Sequence, residues 1–377
     1  MEKKKLKIIV SGGGTGGHIF PAISIANALK EIQPEVDILF VGAEGKMEME
    51  KVPAAGYKIV GLPVAGFQRT LSVKTFTFFF KLYKSMRRAK QVLKDFKPDA
   101  LVGVGGYASG PMLKVAQKKG IPTLIQEQNS FAGVTNRLLA KKAKAICVAY
   151  EGMEKYFPAS KIMMTGNPVR QDLVNLDGKK AEAYSYFNIS QEQKVILVLG
   201  GSQGAKTINK SLMGYMKEIG EQQDVILIWQ TGKYYHSDIK QELEGYDANN
   251  VRLYDFISRM DLAFSIADLI VSRAGAGTIS ELCLVGKPVI LIPSPNVAED
   301  HQTKNAQALV KKNAALMIDD LSAPKELMIM VFELLMNNEK CAEFSKNIKS
   351  MALPNAAKVI AAKVLELAGG TLGNING

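Results

Sequence analysis

Lys7-Ile-Ile-Val10 runs straight into Ser11-Gly-Gly-Gly-Thr-Gly-Gly-His18, and far downstream Lys194-Val-Ile-Leu-Val-Leu199 runs into Gly200-Gly-Ser-Gln-Gly204. Short apolar runs without alternation read as strands buried on both faces, the kind that build parallel sheets. The glycines that follow let the backbone turn sharply and pass close to a ligand. A strand, a glycine loop and a helical pattern, met twice, predict two domains on one plan.

The rest of the chain supports that reading. Asp37–Val41, Asp99–Gly103, Pro122–Ile125 and Ala145–Val148 are further strands of the first half, and helical patterns lie between them. Val225–Ile228, Val251–Leu253, Leu269–Ser272 and Val289–Ile292 continue the second half in the same way. Alternation of strand and helix implies parallel sheets with helices on both faces. The fold class is therefore α/β, with two Rossmann-like domains whose strand ends face a deep interdomain cleft. The expected boundaries are 1–165 and 166–349, with a closing helix at about 350–370 completing the first domain. The tail after Gly369 reads as frayed.

Length and composition agree. At 377 residues, with 47% apolar and 22% charged, the chain has the balance of a globular protein, which excludes disorder, collagen and coiled coil as its main architecture. Cys147, Cys283 and Cys341 stand apart without paired spacing, so neither a disulfide nor a zinc framework is expected and a reducing compartment is. The apolar stretch Leu6–Val10 is too short for a signal-peptide core, and no run is long enough to span a bilayer. A cytosolic protein follows.

The charge is unevenly placed. Of a net +12, residues 1–165 hold 26 Lys and Arg against 12 Asp and Glu, while the remainder holds 22 against 24. The first half thus carries +14 and the second −2, which points to an anionic partner for the first half, either nucleic acid or an anionic membrane.

Several motifs carry chemistry. Ser11–His18 lacks the Gly-Lys-Ser/Thr of a phosphate-binding P-loop, and no acid closes the second strand as a dinucleotide fingerprint demands. His18 at its mouth suits a general base, against the plainer reading of a histidine that starts a helix. Glu127, in Gln126-Glu-Gln-Asn129, is a second candidate acid or base. Ser202 and its neighbouring amides suit a phosphate, against a mere tight turn. In Ser272-Arg-Ala-Gly-Ala-Gly-Thr-Ile-Ser-Glu281 the stretch Thr278–Glu281 fits a capping box. The alternative places a diphosphate on the loop amides and ribose on Glu281. Glu299–Asn305 offers amides for sugar hydroxyls. Lys74–Lys84 interleaves Phe76, Phe78, Phe79, Phe80 and Tyr83 with Lys81 and Lys84. Four phenylalanines within five positions cannot share one helical stripe. Exposed aromatics among cations suit a peripheral membrane contact better than nucleic acid, for which no module is present.

Gly13–His18, Gly103–Tyr107, Glu127–Asn129, Gly166-Asn-Pro-Val-Arg170, Gly200–Gly204 and Arg273–Glu281 occur in the order of one family. Over nearly its whole length the sequence resembles the GT-B glycosyltransferases of the family 28 type that act in peptidoglycan synthesis. The resemblance implies UDP-N-acetylglucosamine as donor and lipid I, an undecaprenyl-diphosphate-linked muramyl pentapeptide, as acceptor. It implies contacts of Thr15, Gly16 and Gly17 with the diphosphates and of Asn129 with the donor sugar. Arg170 and Ser202 would meet the nucleotide, Ile257 uracil through its backbone, Ala276, Gly277, Thr278, Ile279, Ser280 and Glu281 the diphosphate and ribose, and Gln302 the N-acetylglucosamine. Ala274, Gly277 and His301 depart from the usual pattern. The resemblance further implies a peripheral protein on the cytoplasmic face of the bacterial inner membrane, in contact with other cell-wall synthesis proteins, and a role in cell shape and division. No cofactor and no metal are expected, since no Asp-x-Asp-type pair sits at a strand end, and no nucleic-acid partner either. The alternatives are another GT-B activity, such as an epimerase or glycolipid transferase, and a non-catalytic binding protein.

Overall fold

The computed structural model describes residues 5–64, 73–170, 173–174, 176–201, 203–297 and 300–370, the side chains of 73–79 excepted. The chain forms two units, Met1–Val169 with Leu353–Gly377, and Arg170–Ala352. The first unit holds strands β1 (Lys7–Ser11), β2 (Asp37–Ala43), β3 (Lys58–Leu62), β4 (Ala100–Gly103), β5 (Thr123–Glu127), β6 (Ala145–Val148) and β7 (Ile162–Met164). They form one parallel sheet in the order β3-β2-β1-β4-β5-β6-β7. The second unit holds β8 (Lys194–Leu199), β9 (Val225–Gln230), β10 (Val251–Tyr254), β11 (Leu269–Ser272), β12 (Val289–Leu291) and β13 (Leu316–Met317). Their parallel order is β10-β9-β8-β11-β12-β13.

Both orders reverse at the first strand of the unit. β1 lies between β2 and β4, and β8 lies between β9 and β11. At such a switch point the loops leaving the carboxyl ends part to opposite faces and leave a crevice. The two glycine loops quoted above occupy those positions.

The middle strands are apolar because helices cover both faces. Ile8, Ile9, Val10, Leu101, Val102, Leu124 and Ile125 are fully buried in the first sheet, as are Val195, Leu197 and Val198 in the second. Each such side chain contributes about 1.5–3 kcal/mol. Each glycine of the neighbouring loops costs about 0.5–1 kcal/mol relative to alanine, so strand burial outweighs the loop.

The boundaries fall at 169/170 and 352/353, a few residues past those expected from sequence. The reason is bonding at the end of the first sheet. The amides of Thr165 and Gly166 donate to Val148 O, and Asn167 is buried in a network described below. At the other end, Ile360, Ala361, Val364 and Leu365 of helix Ala356–Leu367 share a core with Ile25 and Leu29 of helix Gly16–Ile32.

Candidate active site

In the first unit the loop after β1 lies against the loop after β4, and glycine is required at both. A Cβ on Gly106, whose φ is +84°, would stand 2.2 Å from Gly13 O and 2.9 Å from Gly13 N. A Cβ on Gly105 would stand 2.7 Å from both Cδ2 and Nε2 of His18, so the imidazole lies on bare backbone. Helix Gly16–Ile32 starts from an extended Thr15, whose carbonyl accepts the amides of His18 and Ile19 at 3.1 Å. Thr15 Oγ1 is 3.2 Å from His18 Nδ1. His18 is half-buried, and Thr15 and Gly17 are exposed. No acidic side chain lies in the first turn, so the helix offers its positive end to an anion.

Glu127 ends β5 and is almost wholly buried. Its Oε1 accepts the backbone N–H of Asn129 at 3.1 Å and the Asn129 side-chain amide at 3.4 Å. Its Oε2 accepts Gly133 N at 3.0 Å and Asn136 Nδ2 at 2.8 Å. Burial pushes the carboxyl above the usual range, against the pull of these donors. Glu127 thus holds its own loop and orients half-buried Asn129. The flanking amides form a second network. Gln128 Nε2 donates to Val104 O at 2.6 Å and to Gln126 Oε1, Gln126 Nε2 to Asn167 Oδ1 at 2.9 Å, and Asn167 Nδ2 to Gln128 O at 3.0 Å. It ties β5 and the β4 loop to the Gly166–Arg170 segment.

In the second unit, helix Ala276–Val285 begins at Ala276 with Gly275 as its cap. The expected capping box at Thr278 is therefore not formed. Gly275 already takes the capping position, and Thr278 lies inside the first turn. First-turn N–H groups have no carbonyl behind them, so the segment offers amides, Gly277 and Thr278 among them, and its positive end. Nothing lies within 4 Å of a Cβ built on Gly277, which leaves room for a ligand. Ile279 lies one turn into the helix. Its side chain is buried and its N–H bonds Gly275 O at 2.9 Å, so it presents no donor. Ser280 Oγ donates to Ala276 O at 3.1 Å. Glu281 Oε1 lies 3.5 Å from Arg170 Nε, an ion pair between partly exposed groups.

Gln302 joins two loops. Its Oε1 accepts Ser294 N at 2.9 Å and Ala274 N at 3.2 Å, so its NH2 group is the end left to offer a sugar. Ile257 N donates to Gln230 Oε1 at 2.9 Å, leaving the Ile257 carbonyl as its backbone group for a base. The turn after β9 packs on the second glycine loop: a Cβ on Gly232 would stand 2.0 Å from Gly204 N. Ser202 lies outside the described residues.

Helix Val73–Phe96 buries Ser85, Ala89, Val92 and Leu93 and exposes Phe80, Lys81, Tyr83, Lys84, Arg87, Arg88 and Lys90. Lys84 Nζ sits 4.4 Å above the Phe80 ring. The side chains of Phe76, Phe78 and Phe79 lie outside the described residues. No helix of the described residues is long and apolar enough to cross a membrane.

Sequence reasoning missed Glu48, Asn136, Gln230 and the Gln126–Gln128–Asn167 network. A signal for Glu48 was present: an acid was sought at the end of β2, and Glu48 stands five residues past Ala43.

Two parallel switch-point sheets, each with a glycine loop after its first strand, have the architecture of the GT-B fold. Residues 8–148 match the glycosyltransferase family 28 N-terminal domain and residues 195–360 the family 28 C-terminal domain. The chain belongs to glycosyltransferase family 28. A relative from Parabacteroides distasonis is 57% identical over 97% of this chain and 99% of its own length. One from Christiangramia forsetii is 51% identical over 97% and 98%. Both are named UDP-N-acetylglucosamine--N-acetylmuramyl-(pentapeptide) pyrophosphoryl-undecaprenol N-acetylglucosamine transferase. The solved structure of MurG from Acinetobacter baumannii is 29% identical with a TM-score of 0.77, covering 96% of this chain and all of that one. A UDP-GlcNAc 2-epimerase from Neisseria meningitidis, 17% identical with a TM-score of 0.67 over 96% of this chain and all of its own, shares the fold.

Proposed function

We propose that the protein transfers N-acetylglucosamine from UDP-N-acetylglucosamine to the C4 hydroxyl of the muramyl sugar of lipid I, with inversion. The observation that carries this reading is the near full-length likeness to transferases named for that reaction. The acceptor oxygen attacks the anomeric carbon, a C–O bond forms, and the bond from that carbon to the UDP oxygen breaks. His18 takes the hydroxyl proton. With Nδ1–H donated to Thr15 Oγ1, the accepting lone pair is on Nε2. Glu127, its oxygens engaged by four donors, positions Asn129 rather than moving a proton.

The leaving UDP gains charge, and the helix starting at Ala276 stabilises it with amides and dipole. Arg170, paired with Glu281, lies beside that helix to meet the nucleotide. We propose that no metal takes part. Among the described residues no three His, Cys, Asp or Glu side chains gather as a metal site. Turnover should be unchanged in excess chelator; a collapse that only a divalent ion reverses contradicts this.

Labelled donor and a lipid I analogue test the activity. A disaccharide product supports it. Interconversion of the donor with its C2 epimer and no transfer supports the epimerase reading instead.

The exposed cations and aromatics of helix Val73–Phe96 face the anionic membrane that carries the acceptor. Joint replacement Phe80→Ser, Lys81→Glu and Lys84→Glu should cut binding to vesicles containing phosphatidylglycerol about tenfold or more, at roughly 1 kcal/mol per cation. Turnover of a soluble acceptor should stay. Vesicle binding equal to that of the unmodified protein would sink the assignment.

A further inference from the structure

We propose that Glu48 is a positioning residue for the transfer, holding the Gly13–Gly14 turn so that Thr15 and His18 stand in reacting position. Glu48 opens the short helix Glu48–Ala54, 34 positions from Gly14 in sequence, and is fully buried. Its Oε2 accepts the N–H of Gly14 at 2.9 Å, and its Oε1 accepts the N–H of Ala43 at 2.8 Å. The carboxylate lies directly under the glycine backbone: a Cβ on Gly13 would fall 2.1 Å from Oε1, and one on Gly42 would fall 2.6 Å from Glu48 Cγ.

Gly13 and Gly14 have φ of +151° and +88°, and a loop of five glycines has more conformations to lose than any other sequence. Something must select one of them. The β4 loop supports it through Val104, whose Cγ2 would meet a Cβ on Gly12 at 2.2 Å, and through Gly106. Glu48 supplies the polar anchor. Among the described residues no cation forms an ion pair with it, and its carboxyl oxygens meet backbone amides instead. A buried acid without a cation is a costly space-filler. Its use here follows from geometry: two N–H groups face it, and each of its two oxygens accepts one of them. Glutamine has the same shape but turns an NH2 group toward one of them.

The link from Glu48 to His18 rests on the assignment of His18 as base; the anchoring of the loop does not. The experiment measures kcat and the KM for UDP-N-acetylglucosamine in Glu48→Gln, with and without His18→Ala, alongside amide exchange at Gly14. Expected for Glu48→Gln are a fall in kcat of about tenfold to a hundredfold, the effect of a misplacement near 1 Å, an unchanged donor KM and faster exchange at Gly14. In the His18→Ala background the same change should cost less than about twofold, since residues acting through one group are not additive. A wild-type kcat in folded Glu48→Gln, a rise in donor KM alone, or a full multiplicative effect overturns the proposal. So does an unprotected Gly14 amide in the unmodified protein, which is readable even where the variant does not fold. Unchanged turnover in His18→Ala alone removes the base assignment and leaves the Glu48→Gln kcat to judge the anchor.

Discussion

His18→Ala should lose about 10²–10⁴-fold in kcat, the usual worth of a general base, while the KM for UDP-N-acetylglucosamine stays within about twofold. The geometry accounts for both halves. The ring lies on the bare backbone of Gly105 with Thr15 beside Nδ1, in the first unit. The residues proposed to hold the donor nucleotide, Ile257, Glu281 and the amides from Ala276, belong to the second unit, so removing the imidazole leaves donor recognition in place. Thermal unfolding should barely change, because the half-buried ring lies outside the apolar core. Turnover like that of the unmodified protein would end the assignment; a loss confined to donor KM would move His18 to binding.

Gly106→Ala should be nearly as damaging, by a different route. The residue sits at φ +84°, and the added methyl would collide with Gly13 O and N, both backbone atoms that no rotamer change can move aside. A non-glycine residue at such a φ costs about 1–3 kcal/mol, and the collision adds to it, so a loss of about 2–4 kcal/mol in urea unfolding is expected. A shift of the loop by about 1 Å would also lower turnover about a hundredfold. Gly120→Ala is the control. It too has a positive φ, +75°, but nothing lies within 4 Å of its added methyl, so it should show the backbone cost and keep its activity. Equal behaviour of the two variants would mean that the packed loops are not what shapes the site.

Much of the fold was legible because central parallel strands announce themselves. Val195 to Leu199 has no polar residue to hide among, and a glycine loop follows at once. The edges were not. β3, β7 and β13 were missed: β7 and β13 are three and two residues long, and all three are only partly buried, so neither length nor pattern marks them. The site divides in the same way. Local loops and their glycines were readable, whereas roles set by distant partners were not. Glu127 looked like a free acid until Gly133 and Asn136 took its oxygens. Thr278 looked like a cap until Gly275 proved to start the helix. Glu48 was marked only by its place just past β2, and its use lies in Gly14, on the far side of a helix and a strand.

The charge asymmetry now has a place in the structure. The exposed cations Lys81, Lys84, Arg87, Arg88 and Lys90 lie on one helix of the first unit, the unit that also carries His18. On the proposed reading the acceptor and its base would share the first unit, and the nearly neutral second half would hold the donor.

The configuration of the new glycosidic bond tests the account most directly. Purified protein, UDP-N-acetylglucosamine and a lipid I analogue, incubated with chelator and followed by NMR of the product, should give a β-linked disaccharide at the muramyl C4. An α linkage, or no disaccharide while the donor is consumed, would contradict a single displacement assisted by His18.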